Sequence, residues 1–283
     1  MLEAQMSNPV FNRIDKQVRS GAYAGFGQQP RAQWSNPQQP AAADLSAEQL
    51  QQMYDAQPAT AVQARRMTLD DVVMKTLLLF GIVVVVAAAS WVVTDTSPAL
   101  ALPIWLAGML GGLVVGFVIA FRQQVSVPLI LTYAVLEGGF VGAISRVFES
   151  YANGVVGQAV LATMATFAGM FIAWKVGVIK VTDRSRRIFG MAVIGYLLFG
   201  LVNLVFAFAT GGWGLIGSQF GLLICVVGVG MAAYSLAIDF DTIDRGVAAG
   251  LPERYSWLMA HGLIVSLVWL YLELLRLFTR ARN

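Results

Sequence analysis

The amino-acid sequence predicts an all-α integral membrane protein: a seven-transmembrane-helix bundle preceded by a disordered N-terminal arm. Three observations carry this reading. Of 283 residues, 57% are hydrophobic and only 12% charged, with mean hydropathy +0.67. The apolar residues fall into runs of about 20, the length that crosses a bilayer's hydrocarbon core as a helix. Residues 1–66 hold no such run and are rich in Gly, Gln, Pro and Ala instead.

That composition buries too little apolar surface to offset ordering entropy, so residues 1–66 read as a disordered cytoplasmic arm and 67–283 as the membrane domain. Within the arm, Ser46 followed by Gln49 marks a candidate short helix start. Tyr23, Phe26 and Trp34 are either docking points for a partner or isolated aromatics of a linker. No apolar segment near residue 1 marks a cleavable signal, which leaves the first span as the insertion signal. Cys225 is the single cysteine, inside an apolar run, and reads as a small core residue.

Thr68-Leu69-Asp70-Asp71 opens the first span with a capping threonine and acids in the first turn. The span covers about 72–93, and the turn Thr94 to Pro98 leads to a second, about 100–121. Gly108, Gly112 and Gly116 recur there at intervals of four, the spacing that lets helices approach closely in lipid. The third span, about 129–148, holds Glu137 near its centre and Arg146 near its end. A carboxylate at mid-span costs about 2.5 kcal/mol or more to insert, so Glu137 should face the bundle, and Gly138-Gly139 beside it admits a neighbouring helix. The fourth span is about 155–178, the fifth 188–208, the sixth starts near Leu215 and ends in acids, and the seventh is about 256–278. Arg65, Arg66, Lys75, Arg122, Lys180 to Arg187, Arg245 and Arg254 fall on one side of this arrangement. Basic loops stay cytoplasmic, so that side and the N-terminus are expected to be cytoplasmic in a multi-pass plasma-membrane protein. Arg276, Arg280 and Arg282 depart from that rule at the other end.

The chemistry gathers at Leu236-Ala237-Ile238-Asp239-Phe240-Asp241-Thr242-Ile243-Asp244-Arg245, read as the sixth helix's wet end. There the macrodipole, neighbouring carboxylates and partial burial all disfavour negative charge, so modest shifts in pH can change it. The alternative is that these acids merely cap the helix. Asp239 and Asp241 are candidate ligands for calcium, which prefers hard oxygen. Glu273 and Arg276 share a face and pair locally, or Arg276 bridges to Glu137. His261 reads as a packing or hydrogen-bonding residue. No H-E-x-x-H, Walker loop or G-x-S-x-G is present, so neither enzyme nor nucleic-acid binder is expected. A conduit for protons or cations suits these residues, with the lipid bilayer as their medium.

Seven apolar segments, the Ile238-Asp239-Phe240-Asp241-Thr242-Ile243 stretch and the closing Leu270-Tyr271-Leu272-Glu273-Leu274-Leu275-Arg276-Leu277-Phe278 resemble the Bax inhibitor (transmembrane Bax inhibitor motif) family over about 68–278. The opening Ser7-Asn8-Pro9-Val10-Phe11 and the long polar arm are similar to its actinobacterial members. The resemblance implies a bundle with the last helix central and a pH-sensitive calcium leak, calcium being the permeant ion and no cofactor being needed. It further implies a gate in which an acid on helix six shares a proton with one on helix seven. Asp239 matches the first, with Asp241 second in rank. For the partner, one alignment nominates Ser266 and another Glu273. Arg276 matches a bridging arginine whose acidic partner is replaced near Gly108, which makes Glu137 the substitute, with Arg146 on the same helix. The alternative function is a non-transporting regulator that binds a membrane protease or other membrane partner, through residues 1–66.

Overall fold

The computed structural model describes residues 65–122, 124–210, 214–217 and 220–282, and the readings of the arm up to residue 64 lie outside them. Seven of its helices are long and apolar enough to cross a membrane. They are α1 (Leu69–Thr96), α2 (Ala101–Phe121), α3 (Val127–Tyr151), α4 (Val155–Lys175), α5 (Asp183–Thr210), α6 (Gly221–Ala248) and α7 (Tyr255–Arg282). Short 3-10 turns at Pro98–Leu100 and Gly214–Gly217 precede α2 and α6.

The start of α1 follows from its capping residues. The Asp71 backbone N–H donates to Thr68 Oγ1 at 3.2 Å, and the Thr68 N–H donates back to Asp71 Oδ2 at 3.0 Å. Each bond satisfies a donor that the helix itself leaves orphaned. Thr68→Ala is therefore expected to cost about 1 kcal/mol. Thermal unfolding in detergent should show it as a Tm lower by about 2–4 °C.

Chain entry is pinned two residues before the expected boundary. Met67 donates its N–H to Leu251 O at 2.7 Å and Glu253 to Arg65 O at 2.9 Å, while Lys75 Nζ meets Glu253 at 3.0 Å and Ser256 Oγ at 2.6 Å. Arg65 and Arg66 thus belong to the folded unit rather than to the arm. We call this end of the bundle near and the opposite end far.

The small residues decide the packing on one side. The glycine stripe of α2 faces α3: Gly108 lies against Leu136 and Phe140, Gly112 against Glu137, and Gly116 against Tyr133. The other face of α3 receives α1, with Gly138 against Val83 and Val86 and Gly142 against Ala87 and Ser90. Such backbone approach is how helices associate where lipid competes equally for apolar side chains. Across the bundle, α4 packs on α6, and α5 leans on α6.

Between these groups stands α7, in contact with α6, α4, α1 and α3. It buries residues on every side, among them Met259, His261, Ile264, Ser266, Leu270, Glu273 and Leu275. A helix apolar on all faces belongs in a core, and the last helix is central as the resemblance implies.

Two expectations about α6 are corrected. It begins at Gly221 rather than Leu215, because Gly214–Gly217 turns as 3-10. It also runs past the acids to Ala248, so Asp239 lies about 13 Å inside the helix and not at its end. Nothing in Asp244-Arg245-Gly246-Val247-Ala248 breaks a helix. The stop comes at Gly250, whose φ of +67° suits glycine, followed by Pro252.

Candidate functional site

Asp239 is the centre of the site. Its place on the inward face of α6 leaves it 4% exposed, against the central helix. The Ser266 hydroxyl of α7 lies beside it, and Arg186 of α5 is the nearby cation. Its Oδ2 is buried without a hydrogen-bond partner. A buried carboxylate oxygen left so is costly unless a proton, water or cation meets it.

Asp241 is two residues on, about 200° around the helix, and looks elsewhere. It forms ion pairs with Arg186 and with Arg245 Nε, the latter at 2.8 Å. Arg186 also donates through Nη1 to Thr242 Oγ1 at 3.0 Å, while its Nε is buried without a partner. Arg245 in turn reaches Asp183 at 3.5 Å. Asp239 and Asp241 therefore do not converge on one ion, which corrects the expectation of a joint calcium site. Among the described residues no group of three or more His, Cys, Asp or Glu is arranged to hold a metal. Asp244 is exposed at the near end.

The two alignments for the helix-seven partner are separated by depth. Ser266 is opposite Asp239. Glu273 stands seven residues further along α7, about 10 Å toward the far end, and serves a different cluster. It is 2% exposed and accepts from Tyr196 Oη at 2.8 Å, Trp269 Nε1 at 3.1 Å and Arg276 Nη1 at 3.2 Å. Gly228 of α6 makes the room, since a Cβ there would lie 2.6 Å from Glu273 Oε2. Glu273 is therefore not the acid facing Asp239.

The proposed bridge from Arg276 to Glu137 does not form, because Glu273 holds the arginine on its own helix face. Glu137 points to α2 beside Gly112, with the Tyr133 hydroxyl near it on its own helix. The Tyr133 ring meets His261 edge-to-face at 4.5 Å, so the histidine packs as expected. Arg146 does bridge helices, but with Asp95 of α1, through Nε at 2.6 Å.

Sequence reasoning missed Arg186 and Tyr196. Both sit on α5, where Arg186, Phe189, Val193 and Tyr196 follow the 3, 7, 10 spacing of one helix stripe. Phe189 packs on Tyr234 of α6 at 5.5 Å, and the polar residues at the ends of the stripe anchor α5 to Asp241 and Glu273. That stripe was the available signal. Without it, Arg186 looks like one more basic residue of a cytoplasmic loop.

Comparison with known proteins adds an independent line. The family model described as Bax inhibitor 1 like matches residues 8–283. An uncharacterized protein of Chlamydia muridarum (strain MoPn / Nigg) is 27% identical over 184 residues, which cover 62% of this chain and 74% of the relative.

Proposed function

This chain belongs to the Bax inhibitor 1-like family of membrane proteins, and from that premise we propose that it is a pH-sensitive calcium leak channel of the cell membrane, gated by Asp239, with its near end cytoplasmic. The observation that carries the reading is the buried Asp239 carboxyl, its Oδ2 without a hydrogen-bond partner, on the face of α6 turned to the central helix. Neutral, the acid sits in this packing at little cost. Ionised, it has one hydroxyl nearby, and the nearby arginine is already committed to Asp241 and Thr242.

An unpaired buried charge costs several kcal/mol, enough to shift a two-state packing by orders of magnitude in population. Protonation of Asp239 thus biases how α6 seats on α7. The polar groups beside it on neighbouring helices include Ser266 of α7 and Arg186 of α5. Loss of a second acid at Ser266 makes this a one-carboxylate switch.

Calcium entry into proteoliposomes across a pH series tests the proposal. Wild type should show a flux that varies with pH. Asp239→Asn mimics the neutral acid, so its flux should match the wild-type acid-side value at every pH. A variant that keeps the wild-type pH profile would overturn the gate. If wild type shows no flux above empty liposomes, the leak itself fails, and binding of a membrane partner through residues 1–66 becomes the reading to test by deletion and pull-down.

A further inference from the structure

A groove of about 550 Å³ opens sideways between α1 and α4, with α3 and the central α7 as its floor. Its walls include Phe80, Ala88 and Trp91 of α1 and Val160 of α4, and Ser145 and Tyr271 lie on the floor. The two floor hydroxyls use their polarity on each other, 2.7 Å apart, and the Ser145 hydroxyl also contacts Val141 O at 2.5 Å. The groove therefore presents hydrocarbon along its length. Its lining includes neither Asp239, Ser266 nor Arg186.

Its dimensions match one lipid leaflet. The lining residues of α1 run from Phe80 to Val92, about 18 Å of helix. One leaflet contributes about 15 Å to a hydrocarbon core of about 30 Å. The groove thus occupies the far half of α1 and ends at Trp91, a residue type that favours the membrane–water interface.

Charge at that end identifies the head group. Arg146 lies over the Trp91 ring, 6.0 Å from its centroid, and its side chain is 34% exposed. Its Nε is the atom that meets Asp95, whose side chain is 52% exposed. The two Nη donors and the second carboxylate oxygen remain for an outside ligand. Side by side, they present a cation and a hydrogen-bonding anion.

We propose that this groove binds a phospholipid with an ethanolamine head, one acyl chain lying between α1 and α4, its phosphate on Arg146 and its ammonium on Asp95. A glycerol head has no cation for Asp95. A choline head has no N–H to donate to it.

Native mass spectrometry of the full chain in detergent tests this, with dioleoyl phosphatidylethanolamine, phosphatidylcholine and phosphatidylglycerol added separately. The ethanolamine lipid should bind about fivefold more tightly than either other, the effect of one charged contact at a head group. Arg146→Gln should weaken all three lipids, and Asp95→Asn should erase the preference for ethanolamine. Ala88→Trp and, separately, Val160→Phe fill the groove from exposed wall positions and should prevent binding. Equal binding of the three lipids by wild type would overturn the proposal, as would ethanolamine lipid binding that survives both filling variants.

Discussion

Replacing Glu273 with alanine is expected to destabilise the bundle by about 3–5 kcal/mol, because it leaves a charge of opposite sign without its partner inside the protein. Three donors lose their acceptor at once: Tyr196 on α5, Trp269 one turn earlier on α7, and Arg276. The consequence is also architectural. Besides Phe189 and the Arg186 contacts, α5 is held at its far end by Asn203 and Ala207 against Gly214, so the loss should loosen α5 from α7. The midpoint of thermal unfolding in detergent should drop steeply, and protease should degrade the variant faster than wild type. Glu273→Gln keeps an acceptor for Tyr196 and should be milder. A double variant, Glu273→Leu with Arg276→Met, should recover part of the loss, since apolar replacement of a whole buried pair is often tolerated. If the double variant is as damaged as Glu273→Ala, the packing at Gly228 rather than the charge explains the effect.

Gly142→Val should be at least as severe. A Cβ at residue 142 would overlap Ala87 O and fall 2.7 Å from Ser90 Cβ, both on α1. The nearest obstacle is backbone, which no rotamer change relieves. The α1 and α3 helices would have to part, breaking the hydrogen bond from Ser90 Oγ to Gly139 O at 2.8 Å and the packing around Gly138. Loss of folded protein on size exclusion is the expected outcome. Gly157→Val is the control. A Cβ there meets nothing within 4 Å, so the variant should purify and melt like wild type.

The contrast among the glycines shows what could be read from the chain. Gly108, Gly112 and Gly116 mark a packing stripe by their intervals alone, and that stripe does face a helix. Gly142 stands four residues after Gly138, the same interval, which the reading of the chain did not use, while Gly228 belongs to no such glycine stripe. Only the neighbours brought to them, Ala87 in one case and Glu273 in the other, make them indispensable.

By itself the sequence determined seven helices able to cross a membrane and roughly where each falls, and it nominated Asp239 among several candidate carboxylates. Hydrophobic runs and helix caps are local, and in lipid each span must satisfy its own backbone, so little beyond the run is needed to define it. The tertiary structure decided which groups meet. It placed Ser266 rather than Glu273 across from Asp239, gave Asp241 to Arg186, gave Arg276 to Glu273, and gave Arg146 to Asp95. These choices depend on helix rotation and depth. One residue turns a side chain by about 100° and one turn moves it by about 5 Å, differences smaller than the uncertainty of any span boundary read from composition.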